Sequence, residues 1–140
     1  MEINSIANGI VIDHLRAGSG VRILRHLKID NGHDTVAFIM NAISEKHGRK
    51  DLIKLENIEN VDLTALGLID HTATVNIIKN HKIVDKIKLS LPEKVTDVII
   101  CKNPRCVTSL EAVPHVFRLA DDSGKYRCEY CDDIVKADER

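Results

Sequence analysis

The sequence predicts an α+β chain in two parts: a ferredoxin-like β-α-β-β-α-β sandwich over residues 1–94 and a small all-β, zinc-ribbon-like domain over 95–140. Three observations carry this. In the first part, β-rich apolar runs alternate with two short amphipathic helical stretches in the order of a split βαβ motif. Ser90-Leu91-Pro92-Glu93-Lys94 then interrupts the pattern as a linker, because Pro92 has no N–H to give to a ladder. Beyond it stand four cysteines, as Cys101-x4-Cys106, 21 intervening residues and Cys128-x2-Cys131.

Gly9-Ile-Val-Ile-Asp13-His14 reads as a short buried strand ending in two polar residues. Ala17-Gly18-Ser19-Gly20 breaks it, with Ser19 expected as a helix cap. Val21, Leu24 and Leu27 recur at three-residue steps opposite Arg22, Arg25 and Lys28, which predicts an amphipathic helix over 19–29. Asp30-Asn31-Gly32 is its expected stop. Residues 35–43 are β-rich and almost wholly apolar, so a strand buried on both faces is expected there. Lys46-His47-Gly48 reads as a turn. Asp51 to Ile58 alternates Leu52, Lys54 and Glu56 with Ile53, Leu55 and Asn57, the period of a strand. Asp62 is placed to cap a helix over 63–69, Ala73–Lys79 is a further strand, and Asn80-His81 turns into Ile83–Leu89. In the second part, short strands are expected at Val95–Cys101, Val116–Leu119 and Tyr126–Cys128, with Asp121-Asp122-Ser123-Gly124 as a tight turn.

Composition narrows the function classes. Hydrophobic residues make up 44% of the 140 and charged residues 29%, a soluble globular balance. The net charge is −1, with 13 Lys/Arg against 12 Asp/Glu in residues 1–94 and 7 against 9 in 95–140. Neither part is basic, so no long-range field draws in nucleic acid or an anionic membrane. No apolar run approaches a membrane span, and Met1-Glu2-Ile3-Asn4 lacks the start of a signal peptide. The expected compartment is the cytoplasm, where paired cysteines are more often metal ligands than disulfides.

Each cysteine pair forms a knuckle with two converging thiolates, and two knuckles about twenty residues apart make one tetrahedral site. The expected ligands are Cys101, Cys106, Cys128 and Cys131, holding one structural Zn2+. Four thiolates close the shell and leave no position for an activated water. A thioredoxin-like role for Cys128-x2-Cys131 lacks its βαβ context. The neighbourhood is acidic, with Asp121, Asp122, Glu129, Asp132 and Asp133, which disfavours phosphate binding. A protein partner fits better, with Asn103 and Tyr130 as candidate interface residues against the plainer reading that both are merely solvated.

The first part contains no nucleophile–base pair, no Gly-x-Gly-x-x-Gly and no phosphate loop. It does place polar residues along its strands: Asp13 and His14, Lys50 and Lys54, Asn76 and Lys86. Lys50 and Lys54 share a strand face roughly 13 Å apart. That spacing suits the two ends of a nucleotide, although solvated lysines give the same pattern.

Five blocks carry a resemblance: Gly9-Ile-Val-Ile-Asp-His-Leu15, Gly48-Arg-Lys-Asp-Leu-Ile-Lys-Leu-Glu-Asn57, Ala73-Thr-Val-Asn76, Ser90-Leu-Pro-Glu93 and the four cysteines. In this order they resemble the regulatory chain of aspartate carbamoyltransferase over nearly the whole sequence. The resemblance implies a non-catalytic subunit of pyrimidine biosynthesis, whose dimers bridge trimers of catalytic chains. It implies an N-terminal domain that binds CTP as feedback inhibitor and ATP as activator, and a zinc domain that docks on the catalytic chain. By the same resemblance Asp13 and His14 meet the base and phosphate ends of the nucleotide, and Lys50 and Lys54 contact ribose or base. Asn76 and Ile78 lie beside sugar and base, Lys86 meets the triphosphate, and Asn103 matches an interface asparagine. The competing reading is a free-standing zinc-ribbon protein that binds nucleic acid and carries a nucleotide-sensing domain.

Overall fold

A computed structural model describes residues 5–28, 33–45 and 48–136. The expected helix stop at Asp30-Asn31-Gly32 and the Lys46-His47 turn lie outside them. The chain divides into two compact units, 1–89 and 90–140. Lys94 already opens the first strand of the second.

The first unit runs β1 (Gly9–Arg16), α1 (Ser19–Leu27), β2 (Val36–Ser44), β3 (Gly48–Glu56), α2 (Leu63–Ile69), β4 (Thr74–Lys79) and β5 (Lys82–Lys88). The strands form one sheet in the order β2-β3-β1-β4-β5, every neighbouring pair antiparallel. The first four have the ferredoxin-like order, and β5 is added at the edge by a hairpin.

Alternation along the strands decides the two faces. Ile10, Ile12, Ile53, Leu55 and Val75 point to one side and join Ile23, Leu66 and Ile69 of the helices in one core. Each fully buried aliphatic side chain there contributes about 1.5–3 kcal/mol. Gly9 is fixed by sterics: its φ is +144°, and a Cβ would stand 2.1 Å from the Leu55 carbonyl oxygen. The opposite face carries Val11, Asp13, Lys50, Lys54, Asn76 and Lys86, and among the described residues neither helix packs on it.

Two expectations are corrected here. The 35–43 run is not a doubly buried strand but the edge strand β2, and Met40 and Ile43 are 53% and 80% exposed. Its composition suits a central strand, yet among the described residues the sheet order gives it one neighbour, β3. Ser19 is not the cap of α1 either. Gly18 holds that position without a side-chain cap bond, and the capping acceptor is Asp51 of β3. Its Oδ2 accepts the N–H groups of Gly18 and Gly20 at 2.9 and 3.0 Å, and its Oδ1 accepts that of Asn41 at 3.1 Å. By contrast, Asp62 caps α2 as expected, accepting Ala65 N–H at 3.2 Å.

The second unit comprises β6 (Lys94–Thr96), α3 (Val107–Leu110), β7 (Val116–Leu119), β8 (Lys125–Cys128) and β9 (Ile134–Lys136). The strands form an antiparallel sheet in sequence order. The expected strand to Cys101 stops at Thr96, because Asp97 takes a left-handed φ of 59° and turns the chain toward the first knuckle. The one-turn helix α3 and the strand β9 were not anticipated. Phe117 and Tyr126 are fully buried between these strands, and the Tyr126 hydroxyl donates to the Pro92 carbonyl at 2.6 Å.

Candidate functional site

On the uncovered face of the first sheet, cross-strand pairing sets five residues in a row. Ala37 pairs with Lys54, Lys54 with Val11, Val11 with Asn76 and Asn76 with Lys86. Directly paired residues share a face, with Cβ atoms about 5 Å apart. Lys54, Asn76 and Lys86, separated in sequence, therefore line up across four strands. Ile78 lies two residues on from Asn76, beside Gly9.

Asp13 and His14 arrive through a bulge. Between Ile12 and Leu15 the pairing of β1 with β3 shifts by one residue, and His14 takes a left-handed φ of 59°. Such bulges re-aim side chains. Here the Asp13 carboxylate accepts from Lys50 Nζ at 2.9 Å and from the His14 N–H at 2.6 Å. His14 Nδ1 lies 3.2 Å from Thr74 Oγ1. Burial pushes the Asp13 carboxyl up, but the Lys50 hydrogen bond and the His14 N–H outweigh it, and the net shift is downward. Asp13 is thus ionised at neutral pH and neutralises Lys50. Lys54, Lys86 and Lys88 leave the face with a surplus of positive charge.

Asn76 is the informative residue of the row. It is only 8% exposed, and its side-chain oxygen has no hydrogen-bond partner. A buried acceptor left unpaired costs about 1–3 kcal/mol, which a ligand hydroxyl or amine would recover. The face therefore suits an anionic ligand with a donor between its ends. Two hollows flank the row: one of about 600 Å³ at the Gly9–Ile78 end, reaching Asn57 and Asn60, and one of about 380 Å³ between Ile6, Val36 and Lys54.

In the second unit the four sulfurs of Cys101, Cys106, Cys128 and Cys131 lie within 4.8 Å of one another. Cys101 and Cys131 are 3.7 Å apart and Cys106 and Cys128 3.8 Å, far beyond an S–S bond of about 2.05 Å. Four thiolates about 2.3 Å from one ion stand about 3.8 Å apart along a tetrahedral edge, so the donor set fits a single metal ion. Thr108 donates its hydroxyl to Cys106 Sγ at 3.1 Å. This bond and the Thr108 N–H pull the Cys106 thiol down to about 7. Burial pushes Cys101 up to about 12 and raises Cys128. Thr108, two residues after a ligand, was missed in the sequence; only its N-terminal place in α3 would have signalled it.

The proposed interface residues fall around the knuckles. Asn103 Oδ1 accepts the Arg105 N–H at 3.0 Å, and the Asn103 carbonyl accepts Ser109 Oγ at 2.8 Å, so this residue shapes its loop. Tyr130 is 46% and Leu110 75% exposed.

Comparison with known proteins decides the family. Residues 1–90 match the model of the aspartate carbamoyltransferase regulatory chain, allosteric domain, and residues 93–140 that of its metal binding domain. The chain belongs to the aspartate carbamoyltransferase regulatory chain family. The regulatory chain of Clostridium acetobutylicum is 53% identical over 97% of this chain and 94% of its own length. That of Clostridium tetani is 52% identical over 97% and 96%, and that of Bifidobacterium longum 45% identical over 97% and 99%. The chain is a regulatory, non-catalytic subunit with an allosteric unit and a metal-binding unit. Among the described residues no helix is long and apolar enough to cross a membrane.

Proposed function

We propose that the uncovered sheet face binds CTP and ATP at one site, in the cytoplasm, as effectors of pyrimidine biosynthesis. The observation that carries this reading is the buried, unpartnered Asn76 oxygen between Lys54 and Lys86. In this reading Lys86 and His14 meet the triphosphate with charge-assisted donors, Asp13 and Lys50 hold one end of the nucleotide, and Lys54, Asn76 and Ile78 lie beside sugar and base. Inhibitor and activator act through different affinities for two states of the assembly.

The metal in this reading is zinc, and it is structural. It would be held by Cys101, Cys106, Cys128 and Cys131, and it adds folding free energy to a unit with a small core. The face around the knuckles, with Asn103 and Tyr130, docks on the catalytic chain of aspartate carbamoyltransferase; the exposed Leu110 and Ile100 support an apolar contact there. The open edge of β2 supports a regulatory dimer. Calorimetric titration tests the nucleotide site. Lys86→Ala is expected to weaken CTP and ATP alike by roughly 10–100-fold, the equivalent of one charge-assisted hydrogen bond. Unchanged affinity for both removes Lys86 from the site.

A further inference from the structure

We infer that His115 is a positioning residue of the metal site, acting through the backbone of Cys101. The inference rests on the reading of the four cysteines as a metal centre. The Cys101 N–H donates to His115 Nδ1 at 3.0 Å. A backbone amide only donates, so Nδ1 is the acceptor and the proton of the neutral ring sits on Nε2. The ligands of both knuckles need such anchoring, and two find it in their own loops: Cys106 N–H donates to the Asn103 carbonyl and Cys128 N–H to the Asp133 carbonyl. Cys101 differs, because its anchor is the side chain of the residue just before β7, fourteen residues away.

His115 is itself held on both sides of its backbone. Its N–H donates to Asp97 Oδ1 at 2.9 Å, and its carbonyl accepts the Asp97 N–H at 2.7 Å. Asp97, His115 and Cys101 thus form a strap from the bend after β6, through the residue that precedes β7, to the first metal ligand. Cys101 is buried, so loss of the acceptor strands its N–H and frees the ligand that leads the first knuckle. Groups that orient metal ligands from the outer shell typically change metal affinity by about 10–100-fold when removed.

The test uses the full chain loaded with Zn2+ and follows transfer of the metal to a colorimetric chelator, with the visible spectrum of the Co2+-substituted chain as a second readout. His115→Ala is expected to release metal roughly 10–100-fold faster and to broaden the tetrahedral cobalt bands. His115→Asn places a carbonyl oxygen where Nδ1 stands and is expected to restore slow release. His115→Gln places its oxygen nearer Nε2 and is expected not to. Equal release from wild type and His115→Ala overturns the proposal, as does equally fast release from the Asn and Gln variants. Should His115→Ala not fold, the Asn and Gln pair alone decides. A wild-type chain that takes up neither metal removes the metal centre itself, an outcome distinct from the other two.

Discussion

Asp51 and Gly20 form a single local device that joins β3 to the start of α1. Gly20 has no room for a side chain: a Cβ would meet the Phe38 ring at 2.5 Å and Asp51 Oδ2 at 2.9 Å. Gly20→Ala should therefore destabilise by about 1–3 kcal/mol, although alanine is the better helix former. Asp51→Ala strands three backbone N–H groups and should cost roughly 2–4 kcal/mol. Urea midpoints of the first unit check both, and unchanged midpoints would refute the device. Asp70 makes a pH prediction. Burial raises its pKa, but the Thr72 hydroxyl at 2.6 Å, the Arg16 and Thr72 N–H groups and the Arg16 guanidinium together lower it. A carboxyl with a folded pKa below its unfolded value of about 3.9 stabilises above that value, and the contribution is lost as pH falls through the folded pKa. Asp70→Asn is thus expected to flatten the loss of stability below about pH 4. An acid limb as steep as wild type would contradict it.

At the scale of elements, periodicity located most of the first unit. The three-residue steps of Val21, Leu24 and Leu27 gave α1, and the alternation around Ile53 and Leu55 gave β3, each within a few residues. Asp62 marked α2 because a cap is a local contact. What depends on sequence-distant neighbours was not legible. Ser19 looked like a cap because Asp51, the real acceptor, lies 31 residues from Gly20. The apolar run of β2 looked central because composition records apolarity, not how many neighbours the sheet order allows. The candidate face was half legible. Lys50 and Lys54 share a face by simple alternation, but the bulge at Asp13 and His14 and the alignment of Asn76 with Lys86 follow from register. The exposed edge of β2 carries a prediction at this scale. If the proposed regulatory dimer forms at this edge, Ile43→Lys should shift it toward monomer without weakening the proposed nucleotide binding per chain, as read by sedimentation and calorimetry. An unchanged dimer would place the self-contact elsewhere.

At the scale of the whole molecule, two units with separate cores should answer differently to chelation. Unit 1 buries its own large apolar cluster, whereas unit 2 has a small core of residues such as Val95, Phe117 and Tyr126 beside its four clustered cysteines. Removing the metal is expected to abolish protection of amide hydrogens in residues 94–136 while leaving β1, β3 and β4 protected. Cys106→Ala or Cys128→Ala should act like chelation and abolish association with catalytic chains. The central claim is that the metal-organised unit couples an effector-binding unit to an enzyme that this chain does not itself contain. Its most direct test is the native mass of a mixture of this chain with isolated catalytic trimers, with and without zinc. The account predicts a large complex that forms only with zinc. A trimer whose mass is unchanged by the folded, zinc-loaded chain would contradict it.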